Sequence, residues 1–231
     1  MTGDLVCSDK GYGCYVWPCA IELGKYLTTD NVSFSNKNVL ELGCGVGIPG
    51  IVAIKRGARR VYFTEKQSHA SNVLENCRQN VLRNASTAAE HSVARYEALS
   101  WGEVSPFLLS LKSSETIDIL LISDCFYDPT VFDDLLFTIS YLTKMNPGIV
   151  AYCSYQIRDE DWTIGDLLPK WGLASCGISN VCIANVGCAV RLGNSSIYVE
   201  DCDDLVMDCE KADKTYQDNV VLFKIMAAPN A

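Results

Sequence analysis

Glu41, four glycines and Glu65 are the first residues in this chain whose types and spacing suggest chemistry. In "VLELGCGVGIPG" (39–50), Glu41 stands two residues before Gly43, and further glycines follow at Gly45, Gly47 and Gly50. Glycines that end a strand leave backbone N–H groups bare, and a helix opening just after them aims its N-terminus at a ligand. Two patterns share these letters. From Gly45 they spell G-x-G-x-x-G, the usual dinucleotide turn, and from Glu41 they spell E-x-G-x-G-x-G. Glu65 lies 20 residues after Gly45, where an acid would hold a ribose, so this spacing serves both patterns.

The turn itself separates them. In a dinucleotide site the first glycine follows the strand at once. Here Gly43 takes that place, and counting from it puts Ile48 where Gly or Ala should stand, with Pro49 at the start of the helix. A carboxylate at Glu41 would repel a pyrophosphate but suits a cofactor bearing an ammonium or sulfonium group. The residues favour S-adenosylmethionine over a nicotinamide or flavin cofactor.

Such a turn needs a sheet behind it. Short apolar runs alternate with amphipathic ones from residue 37 onward, the sign of β-α units on a mostly parallel sheet. Strands are expected at 38–42, 60–65, 93–99, 117–124 and 148–155, and helices at 47–56, 70–82, 133–144 and 161–171. "IDILLISD" (117–124) is made of β-branched and apolar residues between its two aspartates but for Ser123, as a central strand buried on both faces should be. "SCGISNVCIANV" and "NVVLFKIMA" read as a closing antiparallel pair, with the acidic stretch 191–218 as a loop or insertion between them. A helix over 18–27, with Pro18 in its first turn, precedes the sheet, and residues 1–36 could form a lid near the cofactor. The expectation is one α/β domain over residues 1–231.

Composition narrows the class. With 231 residues, 48% of them apolar, the chain can bury a sizeable core. No apolar run approaches the roughly 18 to 20 residues that span a bilayer, and the start lacks a signal-peptide pattern. The 12 cysteines are scattered without any C-x-x-C, so free thiols in cytosol or nucleus are expected, with no metal site. A net charge of −9 with no cluster of Lys and Arg argues against nucleic acid and fits encounter with a basic protein or peptide.

Five segments together resemble the seven-stranded S-adenosylmethionine-dependent methyltransferases, and within them methyltransferase family 16. They are "YGCYVWPCAIELGKYL", "VLELGCGVGIPGIVAIKRGARRVYFTE", "ALSWGE", "ISDCFYDPTVFDDLL" and "YCSYQIRDEDWTIGDLLPKW", spanning residues 12–171. The resemblance implies a protein substrate, mostly lysine across the family and histone arginine in one branch. It also implies that Gly43, Cys44, Gly45 and Gly47 pass under the methionine part of the cofactor, and that Glu41 helps hold its ammonium. Glu65 would accept hydrogen bonds from both ribose hydroxyls, where the family more often has Asp. Trp17 and Trp101 would give apolar contact around the cofactor, and Ser123 takes the small-residue place before Asp124.

"DCFY" matches the family's D-x-x-Y pattern, which puts Asp124 and Tyr127 near the methyl acceptor, with Asp128 as a second carboxylate. Two acids, Asp124 and Asp128, with Phe126 and Tyr127 as walls, suit a planar guanidinium. A Tyr hydroxyl with one carboxylate suits a lysine, which must first lose a proton. Asp128 also fits a turn or helix start. Tyr155, Gln156 and Arg158 should lie on the same sheet edge and contact the substrate peptide. Asp159 to Asp161 read as a helix cap, Trp162 and Trp171 as core, and His69 and His91 receive no role. The combined expectation is a protein N-methyltransferase with arginine ahead of lysine, and a nicotinamide-dependent oxidoreductase or a non-catalytic binding module as rivals.

Overall fold

The computed structural model describes residues 12–158, 164–178, 190–192, 195–197 and 220–229. Parallel strands β1 (Asn38–Leu42), β2 (Arg60–Glu65), β3 (Ala94–Ala98), β4 (Ile119–Ser123) and β5 (Val150–Gln156) form most of the sheet. It is completed by β6 (Leu173–Gly177) and β9 (Val220–Ala227), and the order is β3-β2-β1-β4-β5-β9-β6. β9 inserts between β5 and β6 and runs antiparallel to both. All five residues of β1 are buried, because helices cover both faces of the sheet.

Alternation along β1 sorts the core. Val39 joins Val61, Phe63 and Leu121 in one apolar cluster, packed with helices α1 (Pro18–Leu27), α2 (Ile48–Lys55) and α3 (Ala70–Asn84). Leu40 and Leu42 face the opposite cluster, with Leu120, Ile122 and helices α5 (Pro106–Ser114) and α6 (Phe132–Met145). From β1 the sheet grows to one side through β2 and β3, and to the other through β4 and β5. Connections that diverge in this way open a crevice above the carboxyl ends of β1 and β4, where open α/β sheets bind ligands.

The expected bounds of β1, β2 and α1 hold to the residue. Two α-helices went unanticipated, α4 (Ala88–Ser92) and α5, although each carries a cap. Thr87 Oγ1 accepts from Glu90 N at 3.1 Å while the Glu90 carboxylate accepts from Ser86 N, a slightly shifted capping box. Ser105 Oγ accepts from Leu108 N at 3.2 Å just ahead of Pro106. The expected helix over 161–171 is shorter: α7 (Ile164–Leu167) passes into a 3-10 turn at Leu168–Trp171, where Pro169 lacks the N–H that an α-helix would use. Trp171 is half-buried at the core edge and donates to Asp133 at 2.8 Å. The expected cap at Asp159 to Asp161, and Trp162, lie outside the described residues, as does most of the acidic 191–218 stretch. Where that stretch is described it holds strand structure: β7 (Val190–Leu192) pairs with β8 (Ser195–Ile197).

The seven described cysteines are all free, and only Cys176 is exposed. Burial pushes the thiols of Cys44, Cys77, Cys125 and Cys153 up, so each stays protonated at neutral pH. In native buffer, alkylation mapped by mass spectrometry should label Cys176 at least about tenfold faster than these four, a gap that should close in denaturant.

Candidate active site

The turn after β1 is built from backbone. Gly43, Gly45 and Gly47 have φ of 63°, 50° and 84°, a run of alternating left-handed residues that side chains disfavour. Cys44 N donates to Thr64 O at 2.9 Å, tying the turn to β2, and Gly47 N donates to Cys44 O at 2.8 Å before α2 begins. Main-chain N–H groups in such a run form an anion-binding concavity at a helix N-terminus.

Glu41 lies beneath this turn and is 1% exposed. Its Oε2 accepts from Gly50 N in the first turn of α2 at 3.0 Å. A Cβ on Gly50 would stand 2.5 Å from that oxygen and 2.3 Å from the Phe63 ring, so only glycine lets α2 sit so close to the sheet. Burial pushes the Glu41 carboxyl well up, and the Gly50 N–H opposes the shift. Its Oε1 is buried without a hydrogen-bond partner among the described residues. An orphaned acceptor below a glycine turn suits a ligand carrying a donor, such as an ammonium, or a water bridging to one.

Glu65 ends β2, half-buried, and its Oε1 accepts from Lys66 N at 2.9 Å. The Gly45 N–H also acts on this carboxyl, which brings the acid and the glycine turn together. Trp101 covers the turn from another side: its ring lies 3.1 Å from where a Gly43 Cβ would be. Gly102, at φ 80°, donates to Thr138 Oγ1 at 3.0 Å and so fastens that tryptophan's loop to α6. At the N-terminal side, Gly13 O would stand 3.2 Å from a Gly45 Cβ, so the segment before α1 lies against the turn. Trp17, just before α1, meets Tyr15 edge-to-face at 4.9 Å.

Across the crevice, Asp124 follows β4. It is 7% exposed and has φ 54°, one of two described non-glycine residues in the left-handed region, where strain is characteristic of functional positions. The Asp124 N–H donates to Ser154 O at 2.9 Å, while Ser154 Oγ donates to Cys19 O at 2.9 Å and lies 3.3 Å from Ser123 Oγ, whose hydroxyl can donate to it. Cys125, next along, donates to Leu42 O at 3.1 Å and packs against Gly43, so the ends of β1 and β4 touch.

The acceptor-side expectations need correction. Asp124 pairs with Arg158, not Asp128: Arg158 Nη1 and Nη2 donate to its two oxygens at 2.9 and 2.6 Å. Asp128 takes its alternative place at a helix start: its Oδ1 accepts from Thr130 N and Oγ1 at 2.9 and 2.8 Å, capping the 3-10 turn Pro129–Val131. Phe126 is no substrate wall. It is fully buried and meets Phe132 edge-to-face at 5.3 Å, because the chain turns inward after Asp124. Tyr155 is 5% exposed and belongs to the same core cluster, since alternation along β5 points it inward. Gln156 is buried and gives its N–H to Asp124 Oδ1 at 3.4 Å. Tyr127 is 54% exposed, at the mouth of the crevice. Burial, with help from Cys125, Glu65 and Asp128, pushes its phenol up.

The structure thus brings Glu41, the glycine turn, Glu65 and Trp101 together, and sets Ser123 and Asp124 across the β1–β4 crevice from them. Sequence reasoning noted Gly50 without giving it a role, and missed Cys19 and Ser154. Gly50 is the last glycine of G-x-G-x-x-G, the one that serves close helix–strand packing, so its signal was present. Cys19 and Ser154 had none.

Known proteins resemble this chain in sequence and in fold. A profile of methyltransferase family 16, described as lysine methyltransferase, matches residues 7–163. Histone-arginine methyltransferase METTL23 of Xenopus laevis is 41% identical over 162 residues, 70% of this chain and 65% of that protein, so the match covers less than two thirds of the relative. Methyltransferase-like protein 23 of Dictyostelium discoideum is 35% identical over 190 residues, 77% of this chain and 74% of its own length. The structure of magnesium protoporphyrin IX methyltransferase from Synechocystis PCC 6803 with bound SAM superposes with a TM-score of 0.51 at 12% identity, over 90% of this chain and 78% of that one, which speaks for the fold alone. With a profile match over most of its length, the chain belongs to methyltransferase family 16.

Proposed function

We propose that the protein is an S-adenosylmethionine-dependent protein N-methyltransferase whose acceptor is an arginine of a basic protein. The observation that carries this reading is the contact between the ends of β1 and β4, which sets strained, buried Asp124 beside the glycine turn. S-adenosylmethionine, when bound, supplies an electrophilic methyl group on a sulfonium. The bare backbone of Gly43, Cys44, Gly45 and Gly47 lets its amino-acid end pack closely against the turn, and the spare oxygen of Glu41 takes its ammonium. Glu65 receives the ribose hydroxyls, and Trp17 and Trp101 exclude water from the apolar parts. Ser123 leaves room at the strand end. Asp124 and Tyr127 orient the acceptor nitrogen, and methyl transfer to nitrogen asks mainly for such positioning.

An acidic chain of net charge −9 attracts a basic partner. The METTL23 relatives are named for histone arginine, which supports a histone substrate and a nuclear location. A lysine acceptor is the second reading, favoured by the exposed Tyr127 hydroxyl and the family description. No described helix is long and apolar enough to cross a membrane.

The cofactor half of the proposal is tested by melting. S-adenosylmethionine should raise the melting temperature and NAD(P) should not; the reverse pattern would remove the reading. Glu65 adds a pH signature. Burial pushes its carboxyl up, opposed by the N–H groups of Lys66 and Gly45. Below that raised value the acid is protonated and accepts hydroxyl hydrogen bonds less well, so cofactor affinity should fall as pH drops through it. Glu65→Gln should weaken binding by about tenfold near neutral pH and flatten this dependence, as calorimetry across a pH series would show.

A further inference from the structure

Among the described residues, Arg158 covers the outer side of Asp124. Gln156 N reaches Oδ1 from β5, and the fully buried Cys19 thiol of α1 lies near the carboxylate. The remaining edge receives both Nη atoms of Arg158 in a fork. The Asp124 side chain is 5% exposed and that of Arg158 is 26% exposed, so the arginine lies between carboxylate and solvent. Arg158 is further held by Nη1 to Gln156 O at 3.3 Å, a longer contact than those to Asp124. Asp128, the other acid of this loop, is committed to its cap.

We infer that Arg158 stands where the guanidinium of a substrate arginine is read, and that the acceptor enters by exchanging with it on Asp124. This rests on the proposed methyltransferase reading and makes Arg158 a specificity-determining residue for it. Exchange favours arginine over lysine for a geometric reason. A second guanidinium reproduces two parallel N–H···O bonds to one carboxylate, whereas an ammonium acts as a point charge and leaves one oxygen less well served. The carboxylate is never uncovered if one fork replaces the other, so the cost of an unpaired buried charge is avoided.

The test uses the full chain and two probes, methylguanidinium and methylammonium, titrated by calorimetry with and without S-adenosylhomocysteine. In Arg158→Gln, methylguanidinium affinity should rise by about tenfold or more over the native chain, with a smaller gain for methylammonium. Arg158→Lys, which keeps a charge on Asp124, should show an intermediate gain and guards against a folding defect in the first variant. Adding Asp124→Asn to either should abolish the gain. Equal gains for the two ions, or no gain in variants with native circular dichroism, would overturn the inference. With an arginine peptide, Arg158→Lys should lower KM; a fall in kcat at unchanged KM would instead mark Arg158 as a fixed positioning residue and also overturn it. Failure of the nucleoside to bind any form would remove the parent reading, and the ion titrations without nucleoside would still decide the exchange.

Discussion

Asp124→Asn is expected to leave S-adenosylmethionine affinity within about threefold of native while methyl transfer falls by about a hundredfold or more, since small misplacements of a reacting group cost that much. The split follows from position. Asp124 lies beyond β4 on the acceptor side, whereas Glu41, the glycine turn and Glu65, which take the polar ends of the cofactor, lie on β1, β2 and the turn after β1. Asparagine tolerates the left-handed backbone, so φ 54° can survive the change. What disappears is the charge that holds Arg158 and, in exchange, the substrate. Asp124→Ala should behave differently. Alanine resists that φ, and the Arg158 guanidinium loses both oxygens, so a loss of about 3 kcal/mol in folding stability should accompany the loss of activity. Calorimetry for the cofactor, single-turnover transfer for the chemistry and urea unfolding for stability separate the two variants. Equal loss of cofactor binding and transfer in Asp124→Asn would place Asp124 in the cofactor site.

Gly50→Ala should be the most damaging single methyl group added to the chain. The new Cβ would enter the space of the Phe63 ring at 2.3 Å and the Glu41 carboxylate at 2.5 Å, and all three residues are buried where α2 meets the sheet. Neither neighbour can retreat easily: Phe63 stacks on Tyr96 at 5.4 Å between centroids, and Glu41 is held by the Gly50 N–H itself. Overpacking of this kind should cost about 3 kcal/mol, which lowers the melting temperature by about 9 °C for a chain of this size. Because Glu41 shifts with it, S-adenosylmethionine should stabilise the variant less than native protein. Gly165→Ala is the control. Nothing lies within 4 Å of its Cβ position and it sits inside α7, so stability should stay or rise slightly. Matching melting curves for Gly50→Ala and native chain would mean that α2 does not pack on Glu41 as described.

The cofactor side was legible in the sequence because backbone features leave strong marks. Glycines at positive φ, a strand that leads into them and an acid at the end of the next strand are local in sequence, and each appeared where the letters placed it. The acceptor side was less legible because it depends on which way single side chains turn at strand ends. Phe126 looked like a substrate wall by adjacency to Asp124, and Tyr155 like a peptide contact by its place near the end of β5, but both point into the core. Asp128 looked like a partner acid, yet its nearest donors are two residues away on Thr130. The true partner, Arg158, is 34 residues from Asp124 and meets it because β4 and β5 are paired in register, Ser123 against Ser154. Pairing across a sheet of this kind is set by tertiary structure and has no local signature. The short capped helices α4 and α5 were missed for the opposite reason: their signals were present, but brief.

The central claim is that this crevice transfers a methyl group from S-adenosylmethionine to an arginine side chain of a basic protein. Incubating the full chain with isotope-labelled S-adenosylmethionine and core histones, then locating the label by mass spectrometry, tests it most directly. Labelled methyl-arginine that disappears with Asp124→Asn is the result expected; label found on lysine alone, or none on any protein while the cofactor binds, would contradict it.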